Sequence, residues 1–324
     1  MERTARIEAV GGPEVIQWVD VDLPPPGPGE VRMRNTAVGL NFIDTYHRSG
    51  LYPVPLPSGL GGEAAGVVEA VGEGVTDFSV GDRVATFGPG IGAYATARNV
   101  PAKILFGLPD DISDETAAAA LLKGGTVEFL VERCARVEPG WTVLVHAAAG
   151  GVGQIAVRWL KAIGVRVLAT VGSADKVALA VEAGADDVLV SRGEGVADWV
   201  RGITAGAGVE VVFDGVGKAT WEASLASVRR RGLVVSFGNA SGPVEGVNLG
   251  TLARAGSVYV TRPTMFDYYV TPEERAAGSA RLFQMLRSGA VRAEIGQRFA
   301  LEDAADAHRA LEAGKTTGST ILVP

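Results

Sequence analysis

The sequence predicts an α/β protein in which a doubly wound parallel sheet is joined to a smaller β-rich unit. Three observations carry this expectation. Residues 143–156, Val-Leu-Val-His-Ala-Ala-Ala-Gly150-Gly151-Val152-Gly153-Gln-Ile-Ala, read as an apolar strand, a glycine turn and the start of a helix. Beyond Pro139-Gly140 the pattern alternates between strand and helix, whereas from 31 to about 100 short β-like runs are broken by Gly and Pro. At 324 residues the chain is long enough for two domains of ordinary size.

Taken in order, the β-like runs 31–36, 64–71, 82–87 and 92–96 have the spacing of a small, strongly curved β domain. Pro24-Pro25-Pro26 is a stiff spacer near its start. Thr116-Ala-Ala-Ala-Ala-Leu-Leu122 is helical and carries the chain toward the second part. Strands are then expected at 142–147, 165–170, 187–190, 209–214, 233–237 and 257–261. The helix from Val152 to Ala162 ends at Gly164, and Gly172-Ser173 opens another that ends near Gly184. Six strands separated by helices predict the doubly wound sheet, with 257–261 closing one edge. The tail reads as a helix over 272–287, a short β run, a helix over 301–312 and a strand over 319–323 suited to return to the first unit. These elements divide the chain into a β-rich unit at 1–122 and 262–324 and a sheet unit at 123–261.

Composition narrows the functional class. With 47% hydrophobic residues, 21% charged residues and one cysteine, the chain is expected to be soluble and globular, without a disulfide framework, in a reducing cytoplasm. Met1-Glu-Arg-Thr-Ala-Arg6 lacks the apolar run of a signal peptide, and no span suited to a membrane follows. A net charge of −7 argues against a general nucleic-acid binder, which needs a surplus of Lys and Arg. Metal is not expected, because His47, His146, His308 and Cys134 form no set at zinc-ligand spacing. Cys134 is read as a small apolar core residue.

The glycine turn has a specific physical use. Without a Cβ, Gly150 and Gly151 let backbone N–H groups, with that of Val152, approach a phosphate, and the following helix presents its positive end to the same anion. A lone glycine triplet also joins strands to helices in sheets that bind nothing; two strands joined by a helix form the unit that a dinucleotide fingerprint requires. NAD-binding units place Asp or Glu just after the second strand, where it would repel a 2′-phosphate. Here Gly172-Ser173-Ala-Asp175-Lys176 begins uncharged, Ser173 can cap the helix or donate to phosphate, and Lys176 lies one turn inside. NADPH is therefore favoured, with Asp175 placed to meet the helix dipole.

The segments Asn41-Phe-Ile-Asp-Thr-Tyr46-His-Arg-Ser-Gly50-Leu-Tyr52, Gly61-Gly-Glu-Ala-Ala-Gly66, Gly81-Asp-Arg-Val84, His146 to Gly153, Arg230 to Asn239 and Tyr259 to Pro263 together resemble the zinc-independent quinone oxidoreductase branch of the medium-chain dehydrogenase/reductase superfamily. The resemblance covers almost the whole chain. It implies a GroES-like, barrel-like catalytic domain completed by the C-terminal tail, an inserted Rossmann domain, and NADPH in the cleft between them. It implies cofactor contacts from Asn41, Phe42, Thr45, Thr126, Phe129, Phe237, Gly238, Asn239 and Pro263-Thr264-Met265. Relatives contact the 2′-phosphate with a Tyr after the third strand, where this chain has Ser191-Arg192. Arg192 either substitutes for it or is a solvated loop charge. Lys315, after Gly314, aligns beside a second basic contact. Alcohol-oxidising relatives hold zinc with a Cys in the segment of Asn41–Asp44 and a His where this chain has Gly62, which leaves Glu63 a packing or hydrogen-bonding role.

Each of these residues also has a plainer reading. Phe129 and Phe237 serve equally well as core, Asn239 as a turn residue, and Tyr46 and Tyr52 as packed rings with hydroxyls at the surface. Asn41, between Leu40 and Phe42, needs a polar partner if buried. Hydride transfer to a quinone builds negative charge on the acceptor oxygen, so the candidate catalytic donors are Tyr46, Tyr52 and Asn41. The expected activity is NADPH-dependent quinone reduction. Reduction of the double bond of a conjugated carbonyl such as a 2-alkenal or enone, and an NADPH-binding structural or RNA-binding role with little turnover, are the alternatives. A homodimer through the edge strand 257–261 is expected.

Overall fold

The structure is a computed structural model and describes residues 1–88 and 90–324. It separates into two compact units, Met1–Leu122 with Ala293–Pro324, and Lys123–Arg292. In chain order the first unit contributes strands β1 (Glu2–Arg6), β2 (Gln17–Val21) and β3 (Glu30–Leu40), helix α1 (Phe42–Ser49), strands β4 (Glu63–Val71), β5 (Arg83–Thr86), β6 (Ala97–Pro101) and β7 (Leu105–Gly107), and the start of helix α2 (Asp114–Glu128). The second unit runs through β8 (Thr142–Val145), α3 (Gly151–Ala162), β9 (Arg166–Val171), α4 (Val177–Glu182), β10 (Asp187–Val190), α5 (Val196–Ile203), β11 (Val209–Asp214), α6 (Trp221–Ser227), β12 (Val228–Ser236), α7 (Leu249–Arg254), β13 (Tyr259–Thr261) and α8 (Pro272–Arg287). The chain then returns to the first unit with β14 (Ile295–Ala300), α9 (Ala304–Glu312) and β15 (Ser319–Val323).

β3 organises the first unit. It pairs with β4, β6 and the C-terminal β15, in a sheet ordered β14-β15-β3-β4-β5-β7. Alternate residues Val31 and Met33 face a core shared with Val68, Val84 and Leu322, which gives the tail strand an apolar reason to return. In the second unit the sheet order is β10-β9-β8-β11-β12-β13 with every pairing parallel. Its central strands, such as Val143-Leu-Val and Val211-Val-Phe, are buried along their whole length because helices cover both faces. The strand order reverses between β8 and β11, so the crevice at their carboxyl ends is where ligands bind in such sheets. Among the described residues no helix is long and apolar enough to cross a membrane.

Three expectations are corrected. The run 92–96 is not a strand: Gly92 has φ 121°, and the N–H groups of Gly92, Ala93 and Tyr94 bond to Gly61 and Leu60, so pairing with β3 is taken by β6 instead. Residues 262–292, assigned from the sequence to the β-rich unit, belong to the second unit. There the Arg281 guanidinium meets Glu132, the Tyr269 hydroxyl donates to Glu128 at 2.8 Å, and Leu282 packs on Gly124. Finally, α2 continues into a π-helical turn, Phe129–Cys134, that hydrophobic spacing does not reveal.

Candidate active site

The glycine turn follows β8 at the switch point. Ala147 is left-handed at φ 53°, and its carbonyl accepts from the Gly150 N–H at 3.0 Å. Gly150 is the N-cap of α3. A Cβ at Gly153 would stand 2.3 Å from the Ala147 carbonyl oxygen and 2.7 Å from the Ala148 Cα, so only glycine lets the helix pass this close to the turn. The first N–H groups of α3, on Gly151, Val152 and Gly153, have no acceptor within the helix, and the helix dipole adds positive potential there. Behind the turn a small apolar cavity is lined by Val131, Val145, Val152, Ala156, Phe213 and Phe237. The structure thus brings Phe237 to the same place as Val152.

The end of β9 assembles the residues expected to read a 2′-phosphate. Arg192, exposed just beyond β10, has its Nε 3.8 Å from where a Cβ at Gly172 would stand, and the Ser191 N–H bonds to the Val171 carbonyl at 2.9 Å. Gly172, Ser173, Lys176 and Arg192 therefore lie around adjoining strand ends. Ser173 precedes a short 3-10 turn, but its side chain makes no capping bond; it bonds instead to Asp175, whose carboxyl it holds below the usual range. The capping role is corrected accordingly.

Other expected contacts group within the second unit. Phe129 is buried and stacks on Tyr268 with ring centres 4.8 Å apart, while Thr126 lies half-buried one turn before it. The Phe237 ring lies against Gly215, where a Cβ would come within 2.8 Å of its Cζ, and one at Gly238 would stand 2.1 Å from the Gly215 oxygen. Asn239 follows in the turn, accepting from the Gly242 N–H at 2.9 Å. Arg262 donates to the carbonyls of Ser236 and Gly238 at 3.1 and 2.8 Å, which ties Phe237–Asn239 to the segment Pro263, Thr264 and Met265. Met265 is buried, and the Thr264 hydroxyl accepts from the Phe266 N–H at 3.4 Å. Arg262, which also donates to the Ser236 hydroxyl at 3.4 Å, escapes sequence reasoning because these partners stand 24 and 26 positions away in the chain. Asp214 was also missed. Its buried carboxylate accepts from the N–H groups of Val216 and Gly217 and from the hydroxyls of Thr220 and Ser224. The available signal was a charged residue closing an apolar strand just before Gly215-Val-Gly217.

In the first unit the candidate donors lie on and beside α1. Asn41, its N-cap, is buried and finds the polar partner it needs: Nδ2 donates to Glu63 Oε2 at 2.8 Å. The other Glu63 oxygen accepts from the Leu122 N–H at 2.7 Å, and Gly39 leaves room for the carboxylate, since a Cβ there would stand 2.2 Å from Oε2. Tyr46 is buried, with Phe42 at 6.2 Å on one side and the half-buried Tyr52 edge-on at 5.2 Å on the other. The Thr45 hydroxyl donates to the Phe42 carbonyl at 2.7 Å.

Beneath α1 runs a buried polar circuit. The Tyr94 hydroxyl donates to Asp44 and lies 3.0 Å from His308 Nε2, His308 Nδ1 lies 3.0 Å from Arg48, and Arg48 forms a two-pronged pair with Glu312. Because Arg48 can only donate and Tyr94 spends its proton on Asp44, His308 carries its proton on Nε2 and is neutral. Burial, with Arg48 beside it, pushes its pKa down to about 3. Lys315 is exposed just past α9, after Gly314 at φ 66°. Among the described residues no three of His, Cys, Asp or Glu stand where they would hold a metal ion. Cys134 is half-buried rather than core, and burial raises its thiol pKa.

A family model described as a zinc-binding dehydrogenase matches residues 151–279, and one described as an alcohol dehydrogenase GroES-like domain matches 27–110. The quinone oxidoreductase of Pseudomonas aeruginosa is 53% identical, covering 100% of this chain and 100% of its own. A 2-haloacrylate reductase of Burkholderia sp. is 41% identical over 100% of this chain and 99% of its own. The crystal structure of Escherichia coli quinone oxidoreductase complexed with NADPH superposes with a TM-score of 0.97 at 47% identity, covering 99% of this chain and 100% of that one.

Proposed function

We propose that this chain, which belongs to the zinc-independent quinone oxidoreductase branch of the medium-chain dehydrogenase/reductase superfamily, is an NADPH-dependent reductase of quinones. The observation that carries this reading is the turn at Gly150–Gly153, whose close packing and unbonded first-turn N–H groups fit a pyrophosphate at the switch point of the sheet. NADPH, when bound, supplies the hydride. Gly151, Val152 and Gly153 would hold its pyrophosphate through backbone N–H groups, and Arg192 with Lys176 its 2′-phosphate. On the acceptor side, Tyr46 and Tyr52 would donate toward the oxygen on which charge develops, with Asn41 held in place by Glu63. Quinones gain aromaticity on reduction, so orientation and hydrogen-bond donation suffice without an added acid.

A second reading has its own support. The Burkholderia relative bears the name 2-haloacrylate reductase, and the same donors suit the enolate oxygen formed when a conjugated double bond is reduced. NADPH oxidation assayed with benzoquinone, naphthoquinone, 2-alkenals and 2-haloacrylates tests both. Quinones are expected to turn over fastest, a preference for the alkenes moves the assignment to the second reading, and NADPH binding without oxidation of any acceptor removes the enzymatic one. An RNA-binding role fits poorly with a net charge of −7.

Two finer points belong to the same proposal. Charge-assisted hydrogen bonds contribute roughly 1.5–3 kcal/mol each, so Arg192→Ala with Lys176→Ala is expected to weaken NADPH binding by at least about tenfold while leaving NADH binding unchanged. Equal losses for both nucleotides, measured by titration, would remove these residues from 2′-phosphate recognition. β13 lies at the sheet edge with Tyr259 64% exposed, which supports pairing with a second copy in a homodimer. Gel filtration at micromolar concentration is expected to give twice the chain mass, and a monomer there refutes the pairing.

A further inference from the structure

His146 is 2% exposed, lies directly behind the glycine turn, and has no part in the chemistry above. Both ring nitrogens are engaged, Nδ1 at 2.9 Å from Thr170 Oγ1 and Nε2 at 3.1 Å from Ser224 Oγ. Ser224 has one hydroxyl proton, and it goes to Asp214 Oδ2 at 2.7 Å because a carboxylate only accepts. Ser224 Oγ therefore accepts from an Nε2–H, and Nδ1 accepts from the Thr170 hydroxyl. The imidazole is neutral, and burial holds it so against the pull of Asp214.

What this ring holds is the residue that follows it. Ala147 adopts φ 53°, a conformation that an L side chain resists. Its two neighbours are both tied to Thr170: His146 through the side chain, and Ala148 through its N–H to the Thr170 carbonyl at 3.0 Å. The Ala147 carbonyl is thereby turned under α3, where it accepts from Gly150 and meets Gly153 with no room for a Cβ. Strained backbone of this kind persists only where its surroundings over-determine it.

We propose that His146 is a positioning residue for NADPH, clamping Ala147 in the left-handed conformation that aims the first-turn N–H groups of α3 at the pyrophosphate. The inference rests on the reading that the pyrophosphate sits on this turn. Through Ser224 and Asp214 the clamp also reaches Val216 and Gly217, whose N–H groups the same carboxylate accepts.

The test is a cycle of NADPH dissociation constants on the full chain, His146→Leu measured with Ala147 and again with Ala147→Gly. Glycine adopts the left-handed conformation without strain, so it needs no clamp. With Ala147 the leucine variant is expected to bind about tenfold more weakly, the size of a left-handed penalty, and with glycine at 147 the same change costs less than about threefold. Thr170→Val, which removes only the hydroxyl facing Nδ1, is expected to follow the same pattern and serves if the leucine variant does not fold. Unchanged affinity with Ala147, or an equal loss in both backgrounds as a merely structural role would give, overturns the clamp. Failure of the wild-type protein to bind NADPH overturns the underlying cofactor reading and the clamp together.

Discussion

Valine at position 153 is expected to raise the dissociation constant for NADPH more than about a hundredfold, since two charge-assisted bonds at roughly 1.5 kcal/mol each are lost if the turn moves. The atoms in the way are backbone, the Ala147 oxygen at 2.3 Å and the Ala148 Cα at 2.7 Å, and neither can rotate aside as a side-chain tip would. The start of α3 must therefore shift away from β8. Gly150→Ala is the internal comparison: its Cβ would stand 3.3 Å from the same oxygen, at an ordinary φ of −79°, so a smaller loss is expected with little change in melting temperature. Titration of both variants, with circular dichroism to verify folding, decides the matter. A folded Gly153→Val that binds NADPH within tenfold of wild type would mean that the pyrophosphate lies elsewhere.

Acidification is expected to destabilise the first unit through His308. Its pKa stands at about 3 in the folded protein against an ordinary value of 6.5. A histidine depressed on folding contributes stability that is complete above the unfolded value. That stability is lost as pH falls through the window from 6.5 to 3, because the unfolded chain takes up the proton first. The loss from this group is on the order of 4 kcal/mol across the window. His308→Leu removes the proton uptake but leaves Arg48 and Tyr94 each short of a partner in a buried site, at a cost of about 1–3 kcal/mol. The variant is thus expected to be less stable than wild type at pH 7 and to lose less stability toward pH 4. Urea denaturation at pH 7, 5.5 and 4.5 gives converging curves if this is right; parallel curves refute it.

The two units were not equally legible. Strands 187–190 and 209–214 and helix 272–287 coincide with β10, β11 and α8; β11, an inner strand of the parallel sheet, is buried from Val211 to Asp214 and reads as an apolar run set between Gly208 and Gly215. α1 went unread for a definite reason. It has only eight residues, fewer than the window over which a helical period can be read, and three of its four buried residues, Asp44, Thr45 and Arg48, are polar rather than apolar. Tyr94, buried by a polar circuit rather than a sheet, misled the reading of 92–96 in the same way.

Local chemistry, which acts between near neighbours in the chain, made the glycine turn before α3 and the returning C-terminal strand readable in advance. Tertiary structure alone decided that 262–292 packs with the second unit and that Asn41 meets Glu63. It alone joined Arg48 to His308, 260 positions away, and set His146 between Thr170 and Ser224. A buried polar group must find a partner, but nothing in its own neighbourhood says which. That choice is made only when the sheets bring distant strands and helices within hydrogen-bonding reach.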